Sequence, residues 1–482
     1  MRYNKNRQSA GPMGRPNYKE EFIVKKIVRV LACALATACV LSACGGSQST
    51  AGNAQSAAGS QGGASGDNGE KITLTYWGYS RHNLDFVQAR IDAFNEQNPD
   101  IEVVYEVMSD NYDNNLELAF QGNQAPDIFS VKGGSVVSYV KKGMAKSLDE
   151  YLTDEIKANH GDTLYLENIN SYKGEVYSLT QTGNPFRLIY NKDIFERAGL
   201  DPEAPPTTLE EVRAAAKTIT EKLSGEGVYG FAMNMKSAYS ALFRSVDECA
   251  ARSGLYPYNY DTGRYEFDGY AQVAKVFRDM YADGSFFPGA EGLDIDPLRA
   301  QFALGNIGMY MSGYWEVGVY DGQFPTDQNW AAAPMPTLTG EVLGKTDLNG
   351  AGVSDMISSS CEHPEAAWKF LEFMNDVDYL AEYQKEGYGL VVVPAVAEIA
   401  EPSDTYGSEY FTVRDDEYVR PAPPHRAGMA LDGQTYWDVF NAYIMGEGSE
   451  DATAIVEELE TRYNAALDAA LEAGEFDPIV NS

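Results

Sequence analysis

The chain has 482 residues, and its 71 Asp and Glu against 37 Lys and Arg give a formal charge of −34 at pH 7. A surface this acidic repels nucleic acid and anionic lipid headgroups, and it leaves an anionic ligand dependent on a local basic pocket. A chain of this length exceeds what one hydrophobic core organises, so two or more lobes are predicted.

Lys25, Lys26 and Arg29 precede an apolar run from Val30 to Leu41. That run is shorter than the roughly 20 apolar residues a membrane span needs, and its length and flanks suit a secretory signal peptide over residues 1–43. It ends in Leu41-Ser42-Ala43-Cys44-Gly45, which resembles the bacterial lipobox. The resemblance implies cleavage before Cys44, acylation of its thiol, and an extracytoplasmic protein held to the bacterial cell membrane by lipid alone. Plain cleavage after Ala43 is the alternative. Loss of residues 1–43 leaves 29 basic against 69 acidic residues, a charge of −40. Residues 45–70 are almost entirely Gly, Ser, Ala, Gln, Asn and Thr. So little apolar surface does not offset ordering entropy, and a flexible tether over 44–70 is predicted, with a reach of about 25–30 Å. Of the five cysteines, Cys33 and Cys39 leave with the leader and Cys44 carries lipid. Cys249 and Cys361 stand far apart without CxxC spacing, so isolated, partly buried thiols are expected.

Ordered sequence begins at Lys71. Ile72 to Trp77 reads as a strand closed by Gly78, and Leu84, Val87, Ile91 and Phe94 then share one helical face. Asn98-Pro99-Asp100 breaks that helix, and Ile101, Val103, Tyr105 and Val107 alternate as a second strand. A β-α-β unit of this kind predicts an α/β fold with a parallel sheet. Downstream, Thr208 and Glu211 have capping-box spacing at the start of a helix running to Leu223, and Asp451 to Ala473 reads as a final amphipathic helix.

Several blocks then occur in a characteristic order: Tyr76-Trp77-Gly78; Phe94-Asn95-Glu96-Gln97-Asn98-Pro99; Ala125-Pro126-Asp127-Ile128-Phe129; Leu188 to Phe195 with Ala198-Gly199-Leu200; Phe302 to Met309 followed by Gly313-Tyr314-Trp315; Ala333-Pro334-Met335-Pro336; and His363 to Phe370. Together they resemble the bacterial extracellular solute-binding proteins for sugars, the group that includes maltose-binding proteins, from Lys71 to about Gly474. The resemblance implies a two-lobed periplasmic-binding-protein-like fold of the class II type, with ligand held in a cleft between lobes joined by crossover strands. Mapped here, the first lobe holds 71–183 and 349–389 and the second 187–346 and 391–482. Crossings fall near Gly183-Asn184-Pro185, Leu348 and Leu390. It further implies a monomer that captures a carbohydrate, an oligosaccharide, and passes it to the permease subunits of an ABC importer, with no cofactor, no metal and no catalysis.

A pyranose has an apolar C–H face that an aromatic ring covers and a hydroxyl rim that polar side chains hydrogen-bond. Trp315 is the first ligand candidate, because the family places a stacking aromatic after the Gly-Met-x-x-x-Gly turn; a core or rim Trp is the bland alternative. Asn184, just before the strand from Phe186, stands where relatives carry a polar contact, although turn-making also explains it. Lys132 follows the Ala-Pro-Asp strand at its carboxyl end, where α/β folds bind ligands, and Tyr79 and Arg81 follow the first strand with the same logic. Tyr388 near the third crossing and Asn349 beside Gly350 complete the set. Trp368, Leu371 and Met374 have core spacing. Asp127 and the Lys192-Asp193 pair read as scaffolding, Trp77 as buried beneath the cleft, and Trp330 and Trp437 have no assignable place.

Two other functions compete. A surface glycosidase needs paired carboxylates, but 71 of them make chance pairs inevitable. No GxSxG, HExxH, Walker or GxGxxG pattern stands in suitable context, and the four histidines lack metal-ligand spacing. Asp110 to Asn114 hints at a calcium loop but fails its register. The same binding fold also serves other solutes, such as a polyamine, a phosphodiester or an iron chelate.

Overall fold

The computed structural model describes residues 71–108, 111–131, 135–348, 354–476 and 479–480. Cys44, Lys132, Asn349 and Asp110 lie outside the described residues. Two four-stranded sheets organise the remainder. Their strands are β1 (Ile72–Gly78), β2 (Ile101–Val107), β3 (Ile128–Ser130), β4 (Phe186–Asn191), β5 (Tyr229–Phe231), β6 (Ile307–Gly313), β7 (Trp330–Pro334) and β8 (Asp355–Ile357). The first sheet has the order β8-β3-β1-β2 and the second β7-β4-β6-β5.

The predicted β-α-β unit is present. β1 and β2 run parallel, from Ile72 opposite Ile101 to Gly78 opposite Val107, and the helix Leu84–Gln97 connects them. Val87, Ile91 and Phe94 are buried beneath the sheet, whereas Leu84, in the first turn, is exposed. The Phe94 to Pro99 block has a mechanical role. Asn98 returns its side-chain N–H to the carbonyl of Phe94 at 2.8 Å and ends the helix. Asn95 pairs with both backbone groups of Val103 at 2.8 and 3.1 Å and fastens the helix end to β2. Asp127 accepts from the backbone N–H and hydroxyl of Thr75 at 2.8 and 2.9 Å, which locks β1 to the start of β3. β8 closes this sheet antiparallel to β3.

In the second sheet β4 is buried along its whole length between β6 and β7, antiparallel to both. Asn191 caps the next helix, Lys192–Ala198, by accepting from Ile194 at 3.0 Å. Lys192 pairs with Glu203 at 2.5 Å and Asp193 accepts from Asn329, so this block is scaffolding. The capping box at Thr208 and Glu211 forms with both of its bonds and starts the helix Leu209–Leu223. The final helix is Thr453–Glu472, burying Val456, Leu459, Tyr463 and Leu467. Trp368, Leu371 and Met374 lie in the core of the first sheet. Trp330 is enclosed in the second lobe, and Cys249 and Cys361 are buried free thiols.

Three chain segments meet between the sheets. The amide of Gly183 donates to Leu390 at 2.8 Å and that of Val392 to Gln181 at 2.9 Å, so 181–183 and 390–392 run side by side. A Cβ on Gly183 would stand 2.5 Å from Val392 Cγ1 and 3.5 Å from Leu348 Cβ, so only glycine lets the three pack this closely. One expected boundary moves. Beyond Leu390 the chain turns back to the first lobe. Val391, Val393 and Val396 bury against Leu380 and Tyr383 of the helix Val377–Lys385, with Phe86 beside them. The chain reaches the second lobe only after Ala400, where the Tyr406 hydroxyl donates to the Trp330 carbonyl at 2.6 Å and Arg187 binds the carbonyls of Tyr410 and Thr412 and the carboxylate of Glu417. The physical reason is apolar: Val391, Val393, Val396 and Ala400 find their hydrophobic partners on the first lobe.

Candidate ligand cleft

The carboxyl ends of β1 and β6 face a crevice between the lobes. From the first lobe, the segment after β1 contributes Tyr79, Arg81, His82 and Asn83. From the second, the turn after β6 contributes Trp315, Glu316 and Gly318, the helix Ala238–Arg244 contributes Tyr239 and Arg244, and the helix Ile295–Ala303 contributes Asp296 and Arg299. Tyr79, His82 and Arg244 are surrounded by protein yet keep accessible surface, as side chains lining a narrow crevice do.

The lobes touch at its rim. Arg81 forms an ion pair with Asp296 of the opposite lobe. His82 Nε2 lies 3.3 Å from the carbonyl of Tyr388, and a Cβ on Gly318 would meet both the His82 ring and the Tyr388 ring within 3.2 and 3.3 Å. Burial pushes His82 down to about 4, against the bond to Tyr388, so its ring is neutral at pH 7 and Nε2 is the donor.

Trp315 stands at the end of β6. A Cβ on Gly313 would lie 2.5 Å from the indole, so the missing side chain is what allows the ring to fold back over the strand end. Its edge meets Phe186 at 5.5 Å between centroids, its Nε1 donates to Glu316 at 3.0 Å, and the Arg244 guanidinium sits 5.0 Å from its centroid. The ring nonetheless keeps accessible surface. Glu316 is fully buried and saturated, accepting from Arg299, Ser312 and Trp315. Burial acts to raise its carboxyl, but Arg299, the charge of Arg244 and the Ser312 hydroxyl outweigh that and hold it below the usual carboxylate range.

The other predicted contacts divide. Tyr79 donates to the Val131 carbonyl at 3.2 Å and packs edge-on to Tyr112, with part of its surface facing the crevice. Tyr388 packs on Phe86 and Tyr383 at the rim, half-buried. Arg81 is a clasp between lobes. Asn184 is a correction: it is only 4 % exposed, and its amide accepts from Leu390 N–H at 3.2 Å and contacts Thr182, so it stitches the crossing segments and does not face the crevice. Trp437, unplaced by sequence, bonds Asp247 and stands edge-on to Tyr239 behind the crevice wall. Arg244, Arg299, Glu316 and Tyr239 escaped sequence reasoning. Only Glu316, adjacent to Trp315 and four residues from Ser312, had a local cue. A partly open recess on the first lobe, lined by Tyr76, Tyr79, Asn83, Ser130, Asp355 and Tyr383 among others, measures about 30 Å³. That admits a water molecule and not a sugar ring. Among the described residues no group of three or more His, Cys, Asp or Glu is arranged to hold a metal ion.

Two α/β lobes joined by crossing segments, with a polar-aromatic crevice between them, define a solute-binding fold. Residues 82–380 match the bacterial extracellular solute-binding protein family, and the chain belongs to it. A binding protein of Brucella abortus is 26 % identical over 333 residues, covering 67 % of this chain and 76 % of the relative. The sn-glycerol-3-phosphate-binding periplasmic protein UgpB of Salmonella typhimurium is 25 % identical, over 83 % of this chain and 91 % of its own. Among solved structures, an ABC transporter solute-binding protein of Thermotoga lettingae bound to α-D-tagatose superposes with a TM-score of 0.69 at 21 % identity, covering 82 % of this chain and all of that one. The GacH receptor of Streptomyces glaucescens, solved without ligand and with acarbose, gives 0.66 at 18 % identity, over 84 % of this chain and all of its own. These structures share the two-lobed fold.

Proposed function

We propose that the crevice binds a carbohydrate, of oligosaccharide size, and that the protein hands it unchanged to the permease subunits of an ABC importer. The observation that carries this is the accessible indole of Trp315, set between the lobes with tyrosines and neutral and charged hydrogen-bonding groups around it. An aromatic face for C–H groups beside polar groups for hydroxyls is the chemistry sugar recognition requires. The Thermotoga lettingae and Streptomyces glaucescens proteins, bound to tagatose and acarbose, support it by analogy of fold.

In this reading the first lobe holds 71–183 and 349–400 and the second 187–346 and about 403–482, and the protein acts as a monomer. Tyr79 and Tyr388 contribute from the first lobe and Trp315 from the second, and Lys132 and Asn349, outside the described residues, remain candidates from the sequence. Closure is a hinge motion about the crossing segments, completed by Arg81 and Asp296. Lipid on Cys44 tethers the mature chain outside the cytoplasmic membrane.

The test is a thermal-shift screen of mono- and oligosaccharides on the mature protein, because a ligand that binds only the native state raises its midpoint. Chromatography of the incubated sugar accompanies it. A raised midpoint with the sugar recovered intact is the expected outcome. Steady conversion to smaller products replaces this reading with a glycosidase.

A further inference from the structure

Arg244 can hydrogen-bond a sugar hydroxyl, but its positive charge is more than a neutral sugar requires. Its guanidinium uses Nε on the Ser240 hydroxyl at 3.2 Å and one Nη1 proton on the Ser312 hydroxyl at 3.1 Å. A guanidinium carries five N–H donors, so three remain, two of them on Nη2. No carboxylate among the described residues forms an ion pair with it. Glu316 attracts it without a direct hydrogen bond: Ser312 stands between them, donating to Glu316 at 2.7 Å while accepting from Arg244. Glu316 is itself occupied by Arg299 and the Trp315 indole, and Arg299 spends its remaining charge on Asp296.

Buried Arg278 also lacks a carboxylate among the described residues, but its guanidinium is held by the main-chain carbonyls of Tyr443 and Gly446 to Gly448, and other buried arginines are ion-paired. Buried Arg187 pairs with Glu417, Arg420 with Glu248 and Arg252 with Asp416. A chain with so many carboxylates, and with a carboxylate already paired to each of these buried guanidiniums, nevertheless leaves Arg244 without one at the crevice wall. Burial, and secondarily the like charge of Arg299, push Arg244 down to about 10 despite the attraction of Glu316, and a bound anion would push it back up. The guanidinium lies against Trp315, the ring on which the sugar would rest.

We infer that the ligand carries an oxyanion, a carboxylate or a phosphate, which the free edge of Arg244 receives beside the sugar ring on Trp315. The inference rests on the carbohydrate reading for the ring and on Arg244 for the charge. Planar, two-point pairing with a carboxylate or phosphate is the recognition for which an arginine is suited over a lysine. The overall charge of the protein opposes such a ligand at a distance, so the local guanidinium is what admits it. A uronic acid and a phosphorylated sugar or polyol share this chemistry.

Isothermal titration of the mature protein with two matched pairs separates them: digalacturonate against galactobiose, and glycerol 3-phosphate against glycerol. At low salt the anionic member of one pair should bind at least tenfold tighter than its neutral partner. Arg244→Gln should cost the anionic member at least tenfold more than the neutral one, and Arg244→Lys, which keeps the charge without the planar edge, should fall between. Far-ultraviolet dichroism and melting of both variants confirm that they fold. Equal or tighter binding of the neutral members, an anion preference that survives Arg244→Gln, or no binding of either anion overturns the inference. If galactobiose binds without an anionic gain, the oxyanion assignment fails and the carbohydrate reading stands. If only glycerol 3-phosphate binds, in an Arg244-dependent way, the oxyanion assignment stands and the carbohydrate reading fails.

Discussion

Replacing Trp315 by alanine separates a ligand platform from a packing residue, because the two roles affect different measurements. A sugar stacked on the indole gains roughly 0.5–1.5 kcal/mol from the aromatic contact and about 1 kcal/mol from some 40 Å² of covered apolar surface. Since 1.4 kcal/mol is tenfold in affinity, Trp315→Ala should weaken binding by about ten- to sixtyfold. The fold loses something as well: the Nε1 bond to ionised Glu316, the Arg244 contact and the edge contact with Phe186. For a ring that keeps accessible surface these sum to roughly 2–4 kcal/mol. Trp315→Phe retains a stacking face and the edge contact while removing the Nε1 bond, so it should recover most of the affinity. Calorimetric titration gives the affinity and a melting curve the stability of each variant. Wild-type affinity in Trp315→Ala, with a depressed melting temperature, would show that the indole only packs against β6.

The remaining expectations address the clasp, the acid response and the anchor. Arg81→Ala should leave melting nearly unchanged, since a half-exposed ion pair contributes about 1 kcal/mol at most, and should weaken ligand binding up to about fivefold at low salt by disfavouring closure. The difference should shrink in 1 M NaCl; a variant indistinguishable from wild type at low salt shows that the pair does not assist closure. His160 is fully buried, neither ring nitrogen has a partner, and burial pushes it down to about 4. The folded protein therefore binds fewer protons than the unfolded chain between pH 6.5 and 4, so stability is complete above 6.5 and declines as pH falls through that window. The loss at pH 4.5 is roughly 2–3 kcal/mol from this side chain, and His160→Leu should be correspondingly less acid-sensitive in urea melts; an unchanged acid limb refutes the assignment. Cys44→Ala should move the protein from the membrane to the soluble fraction, and continued sedimentation with membranes would contradict lipid anchoring.

Much of the fold was legible in the sequence because its signals are local. The β1-helix-β2 unit follows from alternating and helical periodicity within 40 residues, and the capping box needs only Thr208 and Glu211. The motif blocks are short-range devices too: Asn95 reaches eight residues to Val103, and Asn191 caps the helix it precedes. Trp315 is singled out by the family resemblance, through the Gly-Met-x-x-x-Gly turn contiguous with its strand, and Gly313, two residues away, is what its ring folds over. Asn184 was misread because its position beside β4 is local information, whereas its partner, Leu390, is 206 residues away. The third crossing was misplaced for the same reason, since the apolar residues after Leu390 do not announce which lobe will bury them. The crevice itself depends on juxtapositions without sequence spacing. Arg81 meets Asp296 across 215 positions and Arg244 meets Ser312 across 68. Backbone periodicity, capping and turn chemistry act over one or two turns of chain and are therefore written in the sequence. Whether a charged side chain is paired, buried or left facing a cleft depends on which distant segments pack beside it, and only the folded chain decides that.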